Sequence, residues 1–458
     1  MNIDINKNIE NVTDDIAFHI YNAIELYDKR KTDKYVSKEI NLFYKFTEEC
    51  WQSYLDQLRH IKEESQKTND KLLLKSFLRR LDSIKEVLFH INYFLKDILD
   101  TSIKDSPSPF LIILNEVVKR YNPNYGLIAI RFAKYNYYHI PLFKLSEVIK
   151  NNKIDDIGVI AYPFTENQTI FNNILLAHEL GHFIFAKKNI KQVIYNNIGS
   201  EQFDKYEKDI SEIAKTLSDK PLFTSLTAPQ IWKYIWSWCE EIFCDMFALA
   251  NYGLSYLLAF IKFHYITPSP LLMDKFTEIY PSKNYRIRRM TGLLVANGWE
   301  DIIKIKCKDI YEWLENNNLL SNIKDEIEKK YHHFENSILL SAYDFLEKMI
   351  PNIYKTILDL TSFHGFKVDT FLKDHDVIFK YLHELLPPPQ SPRTKKNNIH
   401  PISILNSAFI FLLNNGVDIL LSNSDRTINL ENKYLFYKRI NGLVLKSIED
   451  HLIVERWR

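Results

Sequence analysis

The run LLAHELGHFIF, residues 175–185, constrains this chain more than any other stretch, because it sets two histidines and a glutamate inside an otherwise apolar segment. Buried polar groups without partners are costly, so such a segment must give each of them a hydrogen bond or let them share one ion. The apolar density and absence of proline from Ile170 to Ala186 predict a buried helix. Lys187, Lys188 and Asn189 supply the basic and left-handed-tolerant residues that end one. Residues four apart lie on one helical face, so His178 and His182 can aim both imidazoles at a single point. Glu179 stands about 100° round the helix, where it can reach a water at that point without becoming a ligand. With 14 histidines in 458 residues, roughly 0.03 chance occurrences of H-E-x-x-H are expected, so accident is a poor explanation.

Two imidazoles hold a metal weakly, and a third protein donor is required. In WSWCEEIFCDMFALA, residues 236–250, Glu241 and Asp245 stand four apart on a predicted helix, Ile231 to Ala250, among apolar neighbours. Buried carboxylates need partners. Glu241 as third ligand and Asp245 as acceptor of the second N–H of a ligating histidine would satisfy both. A one-residue error in helix phase would put Glu240 or Asp245 in the place of Glu241. Cys239 and Cys244 flank the acidic pair, and their spacing directs them to different sides of the helix from a shared metal. They are read as small core residues.

HELGH at 178–182 followed by E-x-x-x-D at 241–245 resembles the gluzincin metallopeptidases. The resemblance implies one zinc ion per chain held by His178, His182 and Glu241, with Glu179 as general base. Asp245 would orient a ligating histidine. The 58 residues between His182 and Glu241 exceed the separation in the family's best-known member, implying an inserted helical segment. YPSKNYRI at 280–287 is similar to the H-P-x-x-x-x-R-I segment of CAAX-protease-like gluzincins, with Tyr280 in place of His. That similarity makes Tyr280 a candidate oxyanion donor and puts Arg286 on the active-site carboxylates. HELGH before acidic helical residues is also similar to the ImmA/IrrE-like bacterial peptidases.

Elsewhere the chain reads as helical. Apolar positions at three- and four-residue steps predict a helix from Phe43 to Ile61. A stricter seam, Leu74, Phe77, Leu81, Ile84, Leu88, Ile91, Leu95 and Ile98, predicts a second helix packed against it as a hairpin. The seam, residues 74–98, either serves its own domain or receives a helical partner or a second copy. Gly126–Phe132, Tyr135–Ile140 and Ile157–Tyr162 read as strands, the last either core sheet or an edge for an extended peptide. The fold class expected is mainly α with a small β-sheet: a helical region at 1–109, a zincin-like core at 110–300, and a helical region at 301–458.

Balanced charge, 59 basic against 58 acidic residues, gives no field to attract nucleic acid or an anionic membrane. Four scattered cysteines, no secretory pattern and no apolar run of membrane-spanning length suggest a soluble cytoplasmic protein. The expected function is peptide-bond hydrolysis on a protein or peptide substrate. The alternative is a catalytically inactive zincin-like protein that regulates or binds a partner.

Overall fold

The computed structural model describes residues 5–30, 38–102, 108–132, 138–140, 156–163, 169–218, 227–264, 280–317, 319–320, 336–361, 365–389, 399–414 and 430–456. The fold is mainly α with one small sheet. It divides into two compact units, residues 1–111 with 122–167, and residues 112–121 with 168–458. The strands thereby group with the N-terminal helices, whereas the sequence reading grouped them with HELGH.

The first unit packs α1 (Ile5–Arg30), α2 (Lys38–Lys67) and α3 (Lys71–Ser102) against one another. The sequence reading missed α1. Its buried positions Ile9, Thr13, Ile16, Ile20, Ala23 and Tyr27 alternate steps of four and three, and Thr13 breaks the apolar pattern. The Thr13 hydroxyl is satisfied locally by donating to the Ile9 carbonyl, 2.7 Å away. Of the seam on α3, Leu74, Leu81, Ile84, Leu88 and Ile91 are at most 4% exposed, in one core with Ile16, Ile20, Trp51 and Leu58. Up to Ile91 the seam therefore serves its own unit; the Leu95 and Ile98 side chains lie outside the described residues.

β1 (Gly126–Phe132), β2 (Tyr138–Ile140) and β3 (Ile157–Pro163) form a sheet in the order β1-β3-β2. β3 pairs in parallel with β1 along its whole length and antiparallel with β2 at Val159–Ala161. Of the two readings of Ile157–Tyr162, core sheet or an edge open to a peptide, this pairing gives core sheet. Its buried, β-branched sequence belongs to a central strand whose backbone groups are used on both sides.

In the second unit the HELGH run divides into a short helix, Ile170–Asn173, and the motif helix, Leu176–Lys187. At the join the amides of Leu175, Ala177 and His178 bond three residues back, which tightens the turn. Asn189, at φ 47°, ends the segment in the left-handed conformation, as its identity suggested. Two helices, Ile190–Ile198 and Ser200–Ser218, follow the motif helix. The carboxylate helix, Ala228–Tyr252, starts at a capping box in which the Thr227 amide donates to Gln230 Oε1 at 2.8 Å. It packs along the motif helix, with Gly181 against Cys244. Among the described residues no helix is long and apolar enough to cross a membrane.

Candidate metal centre

Three elements of the second unit build the site. The motif helix presents His178 and His182 with ring centroids 4.9 Å apart and planes at 87°. The carboxylate helix presents Glu240, Glu241, Cys244 and Asp245. The helix Lys283–Ala296 is capped by Ser282 Oγ, which accepts from the Tyr285 amide at 3.1 Å, and Arg286 follows within the first turn.

The two imidazoles use their nitrogens alike. His178 Nδ1 lies 2.9 Å from Asp245 Oδ1, and His182 Nδ1 lies 2.8 Å from Glu240 Oε1. An ionised carboxylate only accepts, so each Nδ1 carries the proton and each neutral ring keeps a lone pair on Nε2. Both Nε2 atoms face Glu241, His178 at 3.1 Å from Oε2 and His182 at 3.4 Å from Oε1. Glu241 is only 5% exposed, and its Oε2 also has Arg286 Nη1 at 3.3 Å. With both rings neutral, the lone pairs of two imidazoles and a carboxylate would converge, an arrangement that calls for a positive charge between them, a proton or a metal ion. Donors bound at about 2.0–2.2 Å around a tetrahedral ion are about 3.3 Å apart, close to the separations found here.

The pKa directions carry the same message. Burial alone would lower His178, but the Glu241 charge and the Asp245 hydrogen bond outweigh it and raise the imidazole to about 10. Burial likewise opposes charge on His182, and the hydrogen bond to Glu240 turns the net direction upward. Glu241, despite its burial, is held below the ordinary carboxylate range by His178 and Arg286. Without a metal a proton supplies the cation that the carboxylates require.

His178, His182 and Cys244 also form a group whose donor atoms all lie within 4.8 Å of one another and that could hold a metal ion. Its nearness corrects the spacing argument that sent Cys244 away from the site: the close crossing at Gly181 brings its face of the helix inward. Burial, then the nearby carboxylates, push the Cys244 thiol well up and keep it protonated in the metal-free protein. Cys239 is buried against Met349, as a core residue should be.

Asp245 is 1% exposed and has a full complement of donors. Arg286 gives it Nε to Oδ2 at 2.6 Å and Nη2 to Oδ1 at 2.7 Å. Arg286 Nη1 also lies 3.3 Å from Glu241 Oε2, and the guanidinium stacks over Phe260. Burial would raise the Asp245 carboxyl, but the Arg286 charge holds it far below its usual value. Arg286, itself 7% exposed, therefore bears on both buried carboxylates.

Glu179 is buried beside His178 at 6% exposure. Tyr280 is half exposed, and its phenol is raised by burial, then by the charges of Glu241 and Glu179. It therefore lies within electrostatic reach of both. Sequence reasoning missed Tyr256, whose hydroxyl donates to Asp245 Oδ1 at 2.7 Å. A lone tyrosine in an apolar helix carries no motif that would have singled it out. A cleft of about 910 Å³, lined by Lys191, Phe203, Trp232, Lys233 and Trp236, reaches Glu240. No family model matches the chain, and searches of curated proteins and of solved structures find no match, so the site is read from its own residues and distances.

Proposed function

We propose that this protein is a zinc-dependent metallopeptidase of gluzincin type, acting on a protein or peptide. The observation that carries the reading is the convergence of both Nε2 atoms on the Glu241 carboxylate, with each Nδ1 tied to a carboxylate of its own. His178, His182 and Glu241 would hold one zinc per chain, a donor set that leaves a coordination position open for reaction. Zinc there supplies Lewis acidity, lowering the pKa of water toward neutrality and polarising the scissile carbonyl.

Glu179, one residue from His178 and not needed as a ligand, takes a proton from the attacking water and returns it to the leaving amine. Burial and the adjacent carboxylates keep the Tyr280 phenol protonated, so it can donate to the oxyanion as the tetrahedral intermediate forms. Arg286 is committed to Asp245 and Glu241, so its part is to fix the ligand carboxylate. Glu179→Gln should retain about one zinc per chain and lose hydrolysis of a complex peptide mixture, read as new termini by mass spectrometry. Hydrolysis surviving in that variant removes Glu179 from the mechanism.

Cys244 favours a second reading. Its thiol joins the two histidines within 4.8 Å, and four protein donors with Glu241 would close the site. The chain would then be an inactive, metal-stabilised zincin-like protein that binds or regulates a partner. Cobalt substitution separates the two, because a thiolate ligand adds a near-ultraviolet charge-transfer band that Cys244→Ser abolishes. The peptidase reading expects no such band.

A further inference from the structure

We infer that Tyr256 is a positioning residue for His178, acting through Asp245 and held in place by a capped helix break; the inference rests on the metal reading above. The carboxylate helix ends at Tyr252 because Gly253 adopts φ 64°, a conformation that side chains rarely tolerate. A Cβ there would also meet the Trp299 ring at 2.9 Å. The next helix, Leu254–His264, turns back so that Tyr256 comes to face Asp245, eleven positions earlier.

Asn406, from the buried helix Pro401–Leu413, locks this corner. Its Oδ1 accepts from the Ser255 amide at 2.7 Å, and its Nδ2 donates to the Tyr252 carbonyl at 2.9 Å. A helix break takes such backbone groups out of the helical ladder, and the Tyr252 carbonyl accepts from Ser255 Oγ as well, at 2.8 Å. Tyr256 is fully buried, and its hydroxyl lies 2.7 Å from Asp245 Oδ1 and 3.4 Å from His178 Nδ1.

Among the described residues Oδ1 thus receives three donors, from Tyr256, Arg286 and His178, while Oδ2 receives Arg286 alone. Arg286 holds both oxygens with a pair of hydrogen bonds from the helix Lys283–Ala296. The Tyr256 hydroxyl, arriving from another helix, fixes Oδ1 on the His178 side. It thereby sets the tautomer and the direction of Nε2. The support of His182 is more open: the Glu240 side chain is 36% exposed and lines the cleft. His178 is the rigid ligand of the pair and His182 the yielding one.

The test compares zinc affinity, by chelator competition, in the full chain and in Tyr256→Phe. Two further measurements accompany it: the melting temperature of the metal-free protein and the d–d spectrum of the cobalt-substituted protein. Loss of the hydroxyl should weaken zinc about tenfold or more, in line with other partners of ligating histidines, and shift the cobalt bands. Tyr285→Phe is the matched control, since it removes a buried hydroxyl bound to Glu347 instead of Asp245 and should leave affinity unchanged. Equal zinc affinity in Tyr256→Phe and the unmodified chain overturns the inference and leaves the metal reading standing. An equal loss in Tyr285→Phe also overturns it, by making the effect one of general loosening. An unmodified chain that takes up no zinc overturns the metal reading and this inference with it.

Discussion

Between the two histidines, Gly181 decides how near the carboxylate helix can come. A Cβ built there would lie 2.7 Å from the Cys244 Cα and 2.9 Å from its Cβ, both fixed parts of the facing helix. Nothing flexible can yield, so any larger residue must push the helices apart. Glu241 lies one turn before Cys244 and would be carried off with it, lengthening its separations of 3.1 and 3.4 Å from the two Nε2 atoms. Gly181→Ala should therefore lose about 1–3 kcal/mol of stability by overpacking. Zinc affinity should fall at least tenfold in the same variant. Thermal melting of the metal-free chain reads the first and chelator competition the second. An alanine variant that binds zinc normally would show that the helix spacing does not set the ligand geometry.

The helices that carry the site were legible because their chemistry is local. HELGH and E-x-x-x-D each place their residues by helical period alone, and the Asn189 stop and the small sheet follow from residue type. What the sequence withheld depends on contacts between elements. Tyr256 reaches Asp245 only because of a break at Gly253, Cys244 nears the histidines only through the Gly181 crossing, and β3 is central only because β1 and β2 flank it. A further contact of this kind joins the helix Val368–His383 to Pro401–Leu413, where His375 Nδ1 lies 3.0 Å from Ser407 Oγ. His375 is 3% exposed and sits between the rings of Phe371 and Phe379. Burial, then Lys306, lower its pKa from 6.5 to about 4. A histidine depressed in the folded state binds more protons when unfolded, so its contribution is intact above pH 6.5 and is lost as pH falls toward 4. Complete loss amounts to about 3 kcal/mol. Denaturant unfolding of the metal-free chain between pH 7 and 4 should show this slope, and His375→Phe should flatten it. An unchanged slope in that variant would assign the acid sensitivity to other groups.

At the scale of the whole chain, the candidate metal donors all belong to one of the two compact units, residues 112–121 with 168–458. The core of the other unit is closed by its own residues, from Ile9 and Trp51 to Leu88 and Val159. A ligand stabilises the structure that binds it by an amount set only by its concentration over its dissociation constant. At a hundredfold excess over Kd this is about 2.7 kcal/mol, or about a hundredfold in the opening equilibrium. Zinc should therefore slow amide exchange about a hundredfold in the motif helix and the carboxylate helix, where exchange proceeds by opening of the site. It should leave residues 9–27 and 74–91 unchanged. Hydrogen–deuterium exchange with and without zinc resolves these segments by peptide, and His178→Ala supplies the control in which no segment responds. Protection spread equally over both units would mean that zinc stabilises the chain as one cooperative body, and the organisation into separate cores would not govern its stability.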